Sequence, residues 1–299
     1  MSEPSLTRQI SSAYQSLLVN CDPQTVTAER VFQLLATVKD FFSAAQRQGR
    51  EVDINTRVNF RNAAQTLLNR ARWLEPAARR SLEEFVNEQP KFLAAGNYKF
   101  TYDFFSRHIA QWRSSLAPLA SLPSLSFLEV GSSEGRSACW LLENILTHDE
   151  SRLTCIDVFR EEQGQGLFDP VRLDGAHLSL EDRFNFNIEQ TGAAHKVVKL
   201  VGPSQELLRT LALRSYDFIY IDGSHTAQDV LIDLVLGWQL LKSGGMMTID
   251  DYEWSENPDP LLCPRLAVDA FLQIYQGDYM VCHQGYQVTL EKRRRGDTA

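Results

Sequence analysis

Residues 126–146 read Ser-Phe-Leu-Glu-Val-Gly-Ser-Ser-Glu-Gly-Arg-Ser-Ala-Cys-Trp-Leu-Leu-Glu-Asn-Ile-Leu. Ser126 to Val130 is a short apolar run of strand length that stops at Gly131. From Arg136 onward, Trp140, Leu141, Leu142 and Ile145 recur at helix spacing. Strand, glycine-bearing turn and helix in succession is the unit from which parallel sheets are built. The alternation continues as strands at 153–157, 196–201, 216–221 and 246–249, with helices at 178–191, 204–213, 226–241 and 264–275. Two last runs, 278–283 and 286–292, flank Gln284-Gly285 and read as a hairpin. The pattern predicts an α/β fold: a mostly parallel seven-stranded sheet with helices on both faces.

Upstream the rhythm is different. In residues 1–95, Val31, Leu34, Leu35, Val38 and Phe41, then Ala64, Leu67, Leu68 and Ala71, follow the helix period. Asp22-Pro23 and Glu75-Pro76 read as breaks between helices. The expected organisation is a helical N-terminal domain at 1–95, an α/β domain at 96–292 and a basic tail at 293–299. The run Lys292–Arg295 is expected to be solvated.

The chain has 299 residues, 43% hydrophobic and 23% charged, the balance of a soluble globular protein. Its formal charge of −8 argues against a surface that tracks nucleic-acid phosphates. The charge is uneven, +4 over residues 1–120 and −12 over 121–299, so the second part suits a cationic ligand or a metal. No apolar run approaches the roughly 18 residues of a bilayer span, and the opening segment lacks the pattern of a secretory signal. Cys21, Cys139, Cys155, Cys263 and Cys282 form no C-x-x-C pair, against a disulfide framework or a Cys-rich zinc site. A cytoplasmic protein with a small-molecule partner is expected, without nucleic-acid or membrane partners. The apolar helical faces upstream leave a homo-oligomer open.

Open parallel sheets bind ligands beyond the carboxyl ends of their strands, where the strand order reverses. The residues there are Gly131–Gly135, Asp157, Gly202–Ser204, Asp222–His225 and Asp250–Asp251. The turn Gly131-Ser-Ser-Glu-Gly135 lets backbone approach a ligand closely. It is not the G-x-G-x-x-G of a dinucleotide site. Glu134 inside it would repel a pyrophosphate but tolerate a sulfonium or an ammonium. Asp157 is placed to accept from two ribose hydroxyls. Taken alone, the loop is equally a tight turn of any α/β protein.

Four stretches, Phe127–Ser137, Cys155–Asp157, Tyr216–His225 and Leu241–Tyr252, with a lead-in segment at Tyr102–Trp112, together carry a resemblance. Over residues 125–292 the chain resembles a class I S-adenosylmethionine-dependent methyltransferase. The resemblance implies a Rossmann-like fold and S-adenosyl-L-methionine as cofactor. It implies that Gly131, Ser132 and Gly135 cradle the methionine part and that Asp157 takes the ribose. Gly202-Pro-Ser-Gln205 is similar to the adenine-side turn of catechol O-methyltransferase, which puts Ser204 near the adenine. Glu129 and Asp222 complete the implied cofactor set, although Glu129 equally suits a role in bonding the loop and fixing its shape.

Asp222 ends one strand, and Asp250-Asp251 end its neighbour, about 4.8 Å away. Three converging carboxylates repel unless a cation or protons neutralise them. Oxygen ligands of this kind suit Mg²⁺ or another divalent cation, which orients and acidifies a substrate hydroxyl. Asp222-Gly-Ser-His225 with Asp250-Asp251 is similar to metal-dependent O-methyltransferases of the macrolide-sugar and catechol types, the latter usually carrying Asp-Asn at 250–251. Asp222, Asp250 and Asp251 are therefore the expected metal ligands. His225, just before a helix, is the expected catalytic base. Tyr252 and Trp254 are candidate walls of an acceptor pocket, and 161–178 a candidate lid. The expected function is O-methylation of a small-molecule hydroxyl with metal assistance. The alternatives are a metal-independent methyltransferase and a non-catalytic interaction protein of the same fold.

Overall fold

The computed structural model describes residues 26–49, 52–70, 73–160, 171–173, 176–254 and 259–293. Four helices come first, α1 (Ala28–Arg47), α2 (Ile54–Arg70), α3 (Pro76–Glu88) and α4 (Ile109–Leu116). Then come β1 (Ser126–Val130), α5 (Arg136–Asn144), β2 (Arg152–Asp157), β3 (Val171–Leu173), β4 (Ala176–Leu178), α6 (Leu180–Gln190) and β5 (Val197–Val201). The chain continues with α7 (Ser204–Leu207), β6 (Tyr216–Ile221), α8 (Ala227–Leu240), β7 (Leu241–Ile249), α9 (Pro264–Ile274), β8 (Tyr279–Gln284) and β9 (Val288–Lys292). It divides into two compact units, Met1–Phe104 with Arg160–Arg183, and Phe105–Phe159 with Phe184–Ala299. The division falls at Phe104 rather than at residue 95. Most of the candidate lid and all of 294–299 lie outside the described residues, as does the expected break at Asp22-Pro23.

In the first unit, Thr27 caps α1 by accepting from the amide of Arg30, and Pro76 opens α3 at a position that needs no amide donor. Val31, Leu34, Leu35, Val38 and Phe41 of α1 meet Leu82, Phe85 and Val86 of α3 and Ala64, Leu67 and Leu68 of α2 in one apolar core. The ring of Phe42 packs edge-on against Phe60 and stacks with Phe85. The helix period read from the sequence is the period of this core.

The second unit is built on a seven-stranded sheet of order β5-β2-β1-β6-β7-β9-β8. The first five are parallel neighbours, and β9 joins β7 antiparallel and pairs with β8 as the expected hairpin. The chain moves outward from β1 to β5, then returns to the other side of β1, so the order reverses between β1 and β6. Side chains alternate across the sheet. Leu128, Val130, Ile219, Ile221, Met247 and Ile249 pack with α8 and α9 on one face. Phe127, Phe218 and Tyr220 face the other, where Trp112 of α4 lies against Tyr220 at 4.7 Å and 90°. The fold is α/β and Rossmann-like, as the sequence predicts.

Three local readings change. β7 begins at Leu241, not 246: Leu241 pairs with Tyr216, and the register then shifts so that Met246 pairs with Phe218. The expected helix 204–213 is one turn of α-helix followed by a 3-10 turn at Leu208–Thr210. Lys292 is not part of a solvated tail: its Nζ donates to the carbonyls of Trp238 and Leu241 at 2.6 and 3.0 Å, capping the end of α8. No helix among the described residues is long and apolar enough to cross a membrane.

Candidate active site

The last rungs of the parallel ladder set the site. Gly131 N donates to Ile156 O at 2.8 Å, Asp222 N to Val130 O at 2.8 Å, Asp250 N to Ile221 O at 2.9 Å and Gly202 N to Asp157 O at 3.0 Å. Four strand ends therefore stop at one rim, and Gly131, Asp157, Asp222 and Asp250 lie along it at the reversal of strand order. Gly131 and Gly135 both have positive φ, +89° and +80°. A Cβ on Gly131 would lie 1.8 Å from the carbonyl oxygen of Asp222, so only glycine lets the two strand ends come together.

Asp157 organises the turn. Its two carboxylate oxygens accept from the amides of Ser133 at 2.8 Å and Phe159 at 2.7 Å. Burial raises its pKa, against these amide bonds. Each oxygen carries a second lone pair, so a carboxylate held this way can still accept from a diol. With the positive-φ glycines beside it, the donor set fits an adenosyl ligand. Ser132 is 2% exposed and lies within the same turn.

Two members of the implied cofactor set are committed elsewhere. Glu129 is fully buried on the inner face of β1. It accepts from the hydroxyl of Ser137, in the first turn of α5, and from Cys155 Sγ at 3.7 Å. Burial pushes its pKa up to about 7, against the bond from Ser137. Its bond to Ser137 ties β1 to α5 beneath the glycine turn. Ser204 donates to both oxygens of Asp233 on α8, at 2.8 and 3.0 Å, while Gln205 donates to Asp229 at 2.6 Å. The adenine-side turn is thus pinned to α8 by its side chains.

The three candidate metal ligands are divided between two sets of hydrogen-bond partners. Tyr220, Asp222 and Asp250 share a face, because residue 222 follows 220 by two and Tyr220 pairs with Thr248, two before Asp250. The Tyr220 hydroxyl lies between the carboxylates, 2.9 Å from Asp222 Oδ2 and in a short hydrogen bond to Asp250 Oδ2. Burial raises the pKa of both acids, followed by repulsion from Asp250 and Asp251 at Asp222 and from Asp251 at Asp250, so the pair retains a proton more readily than an isolated carboxylate. Asp251 takes a left-handed conformation, φ +57°, and its carboxylate bonds to His225 and Tyr286. Among the described residues, no group of three or more His, Cys, Asp or Glu is arranged to hold a metal. The donor set does not fit the expected three-carboxylate metal site.

Asp251 belongs to His225 instead. His225 Nε2 lies 2.8 Å from Asp251 Oδ2, and the Tyr286 hydroxyl donates to Asp251 Oδ1 at 2.8 Å. Burial alone would raise the pKa of Asp251. The bonds from His225 and Tyr286 and the nearby charge of Arg107 outweigh it and hold the carboxylate ionised. His225 is 46% exposed at its side chain, just before the Thr226 cap of α8, and packs on Trp254 at 4.8 Å between ring centres. Tyr252 turns the other way: its hydroxyl donates to Asp269 at 2.9 Å and its ring lies under Arg265. Tyr220, Tyr286 and Asp233 escaped the sequence reading. Period two alone points to Tyr220, two residues before Asp222; Tyr286, on the distant hairpin, gave no signal.

Residues 128–252 match the protein family described as a methyltransferase domain. Over this stretch the chain is similar to methyltransferase domains. A protein of Mycolicibacterium smegmatis provisionally described as an O-methyltransferase is 32% identical over 123 residues, 41% of this chain and 48% of the relative. The chain thus spans about half the length of that curated relative. A structure from Corynebacterium glutamicum aligns with TM-score 0.47 at 16% identity, covering 64% of this chain and 84% of its own. The O-methyltransferase TomG of Streptomyces achromogenes, in complex with SAM, aligns with TM-score 0.41 at 18% identity, covering 56% and 73%.

Proposed function

We propose that the protein transfers a methyl group from S-adenosylmethionine to a hydroxyl of a small-molecule acceptor, with His225 as the base. The observation that carries this reading is the His225–Asp251 pair, 2.8 Å apart, on the rim that also bears the Gly131–Gly135 turn and Asp157. When bound, S-adenosylmethionine supplies a methyl group on a positively charged sulfur. The turn and Asp157 would hold it. The His225 tautomer that donates Nε2–H to Asp251 keeps its lone pair on Nδ1, which takes the acceptor's proton. Asp251 orients the ring and stabilises the charge it acquires, the role an aspartate plays beside any catalytic imidazole. With the cofactor in place, the acceptor oxygen freed of its proton by His225 would be the group that receives the methyl. Trp254 flanks His225 and excludes water from one side. This chemistry needs no metal ion, and no step is assigned to one. The same reading has the protein act in the cytoplasm, with neither nucleic acid nor membrane as partner.

The test pairs binding with turnover. S-adenosylhomocysteine titrated calorimetrically should bind the wild type and His225→Ala alike. Mass spectrometry over a panel of hydroxylated acceptors should find methylated product with the wild type only. Cofactor binding without product on any acceptor would favour the non-catalytic alternative.

A further inference from the structure

We infer that Arg107 binds an anionic group, a carboxylate, on the acceptor molecule. The inference rests on the reading of the site given above and deepens it by naming a substrate class, a hydroxy acid. Arg107 lies in the one-turn segment Ser106–His108, ahead of α4, and is exposed. Its Nε donates to His108 Nε2 at 2.9 Å, and its guanidinium carbon sits 4.0 Å from the ring centre of Tyr286. The hydroxyl of that same ring holds Asp251, which holds His225. The guanidinium is therefore one aromatic ring and one carboxylate away from the proposed base.

Two features separate this arginine from an ordinary surface cation. It is fixed from two sides, by the bond to His108 and by the Tyr286 ring, so its planar fork is preorganised. In a stretch with an excess of acidic residues, no carboxylate among the described residues forms a contact ion pair with it. The Lys242–Asp217 pair at 2.7 Å shows the ordinary fate of a cation on this domain. A guanidinium fixed in this way, with no carboxylate in direct contact, can meet one with two parallel hydrogen bonds. Trp254 packs on His225 at 4.8 Å between ring centres. A hydroxyl at His225 and a carboxylate at Arg107 describe the ligand.

The test uses the full chain with S-adenosylhomocysteine bound, and two probes of equal shape, 3-hydroxybenzoate and 3-hydroxybenzamide, followed by ligand-observed NMR. The wild type should bind the acid about tenfold or more tightly than the amide, roughly one charge-assisted bond's worth. Arg107→Gln should bring the acid to the level of the amide, and Arg107→Lys should restore part of the difference. S-adenosylhomocysteine affinity should not move in either variant. Equal binding of the two probes, no binding of the acid at millimolar concentration, or a preference that survives in Arg107→Gln would overturn the inference. An Arg107-dependent preference without methyl transfer to either probe or to any other acceptor would leave the anion site standing and remove the enzymatic reading.

Discussion

Replacing Asp251 by Asn is the sharpest probe of the proposed base. The side chain keeps its volume, so the left-handed turn at 251 and the bond from Tyr286 can persist, but the charge is lost. Asp251 Oδ2 is 2.8 Å from His225 Nε2. An ion pair at that separation interacts by about 4–6 kcal/mol at an effective dielectric near 20. His225 is 46% exposed, so solvent screening cuts this by roughly half. The remaining ~2–3 kcal/mol acts when the imidazole becomes charged, in the transition state, and therefore falls on kcat. The expected loss is about thirty- to two-hundredfold in kcat, with little change in KM for S-adenosylmethionine. The assay is initial-rate product formation on an acceptor the wild type turns over, beside the Tyr286→Phe variant, which keeps the carboxylate and should lose no more than about tenfold. If Asp251→Asn retained kcat within a factor of three, the carboxylate would not be serving the base, and the proton would leave by another route.

Other consequences are testable in the same preparations. Asp157→Ala should weaken S-adenosylhomocysteine binding by about ten- to a thousandfold, because each charge-assisted bond to the ribose is worth roughly 1.5–3 kcal/mol; unchanged calorimetric affinity would detach Asp157 from the cofactor. Burial raises the pKa of Asp233 to about 6 from 3.8, against its bonds from Ser204, so the folded state binds more protons than the unfolded chain between those values. Stability should then fall as pH rises from about 4 to 6, by about 3 kcal/mol from this group alone, and Asp233→Asn should flatten that part of a denaturant-midpoint profile. Exhaustive chelation with EDTA should leave turnover unchanged, and added Mg²⁺ should not raise it; abolition by EDTA with recovery on Mg²⁺ would show that the Asp222–Tyr220–Asp250 cluster rearranges around an ion.

The core of the fold was legible because it depends on short-range pattern. β1, the glycine turn and α5 follow from residues 126–146, and β6 was readable residue for residue. The site was legible along the strand ends, where position in the alternating pattern fixes location. It failed where backbone turns or distant segments decide direction. Asp250 and Asp251 look interchangeable in sequence, yet pairing register sends one to Tyr220, and a left-handed residue sends the other to His225. Glu129 looks like a ligand-facing acid until its position in the pleat places it under α5 with Ser137. Ser204 was identified at the right turn, but Asp233, on a helix of otherwise apolar periodicity, carried no sign that it would bind it. Tyr286 and Gln287 come from the last hairpin and act on residues 35 and 175 positions away in the chain, at Asp251 and Trp112.

The place of β9 in the sheet has a consequence for biosynthesis. Residues 288–292 enter between β7 and β8, so β7 has no partner on that side until they have been made. A nascent chain halted before that point carries a nine-residue strand, Leu241–Ile249, with one open edge and an apolar face. The same hairpin brings Tyr286 to Asp251 and Gln287 to Trp112, so the candidate site and the sheet are completed together. Messages truncated upstream of this segment should therefore yield protein that ribosome-associated chaperones hold and proteases clear, rather than a weakened enzyme.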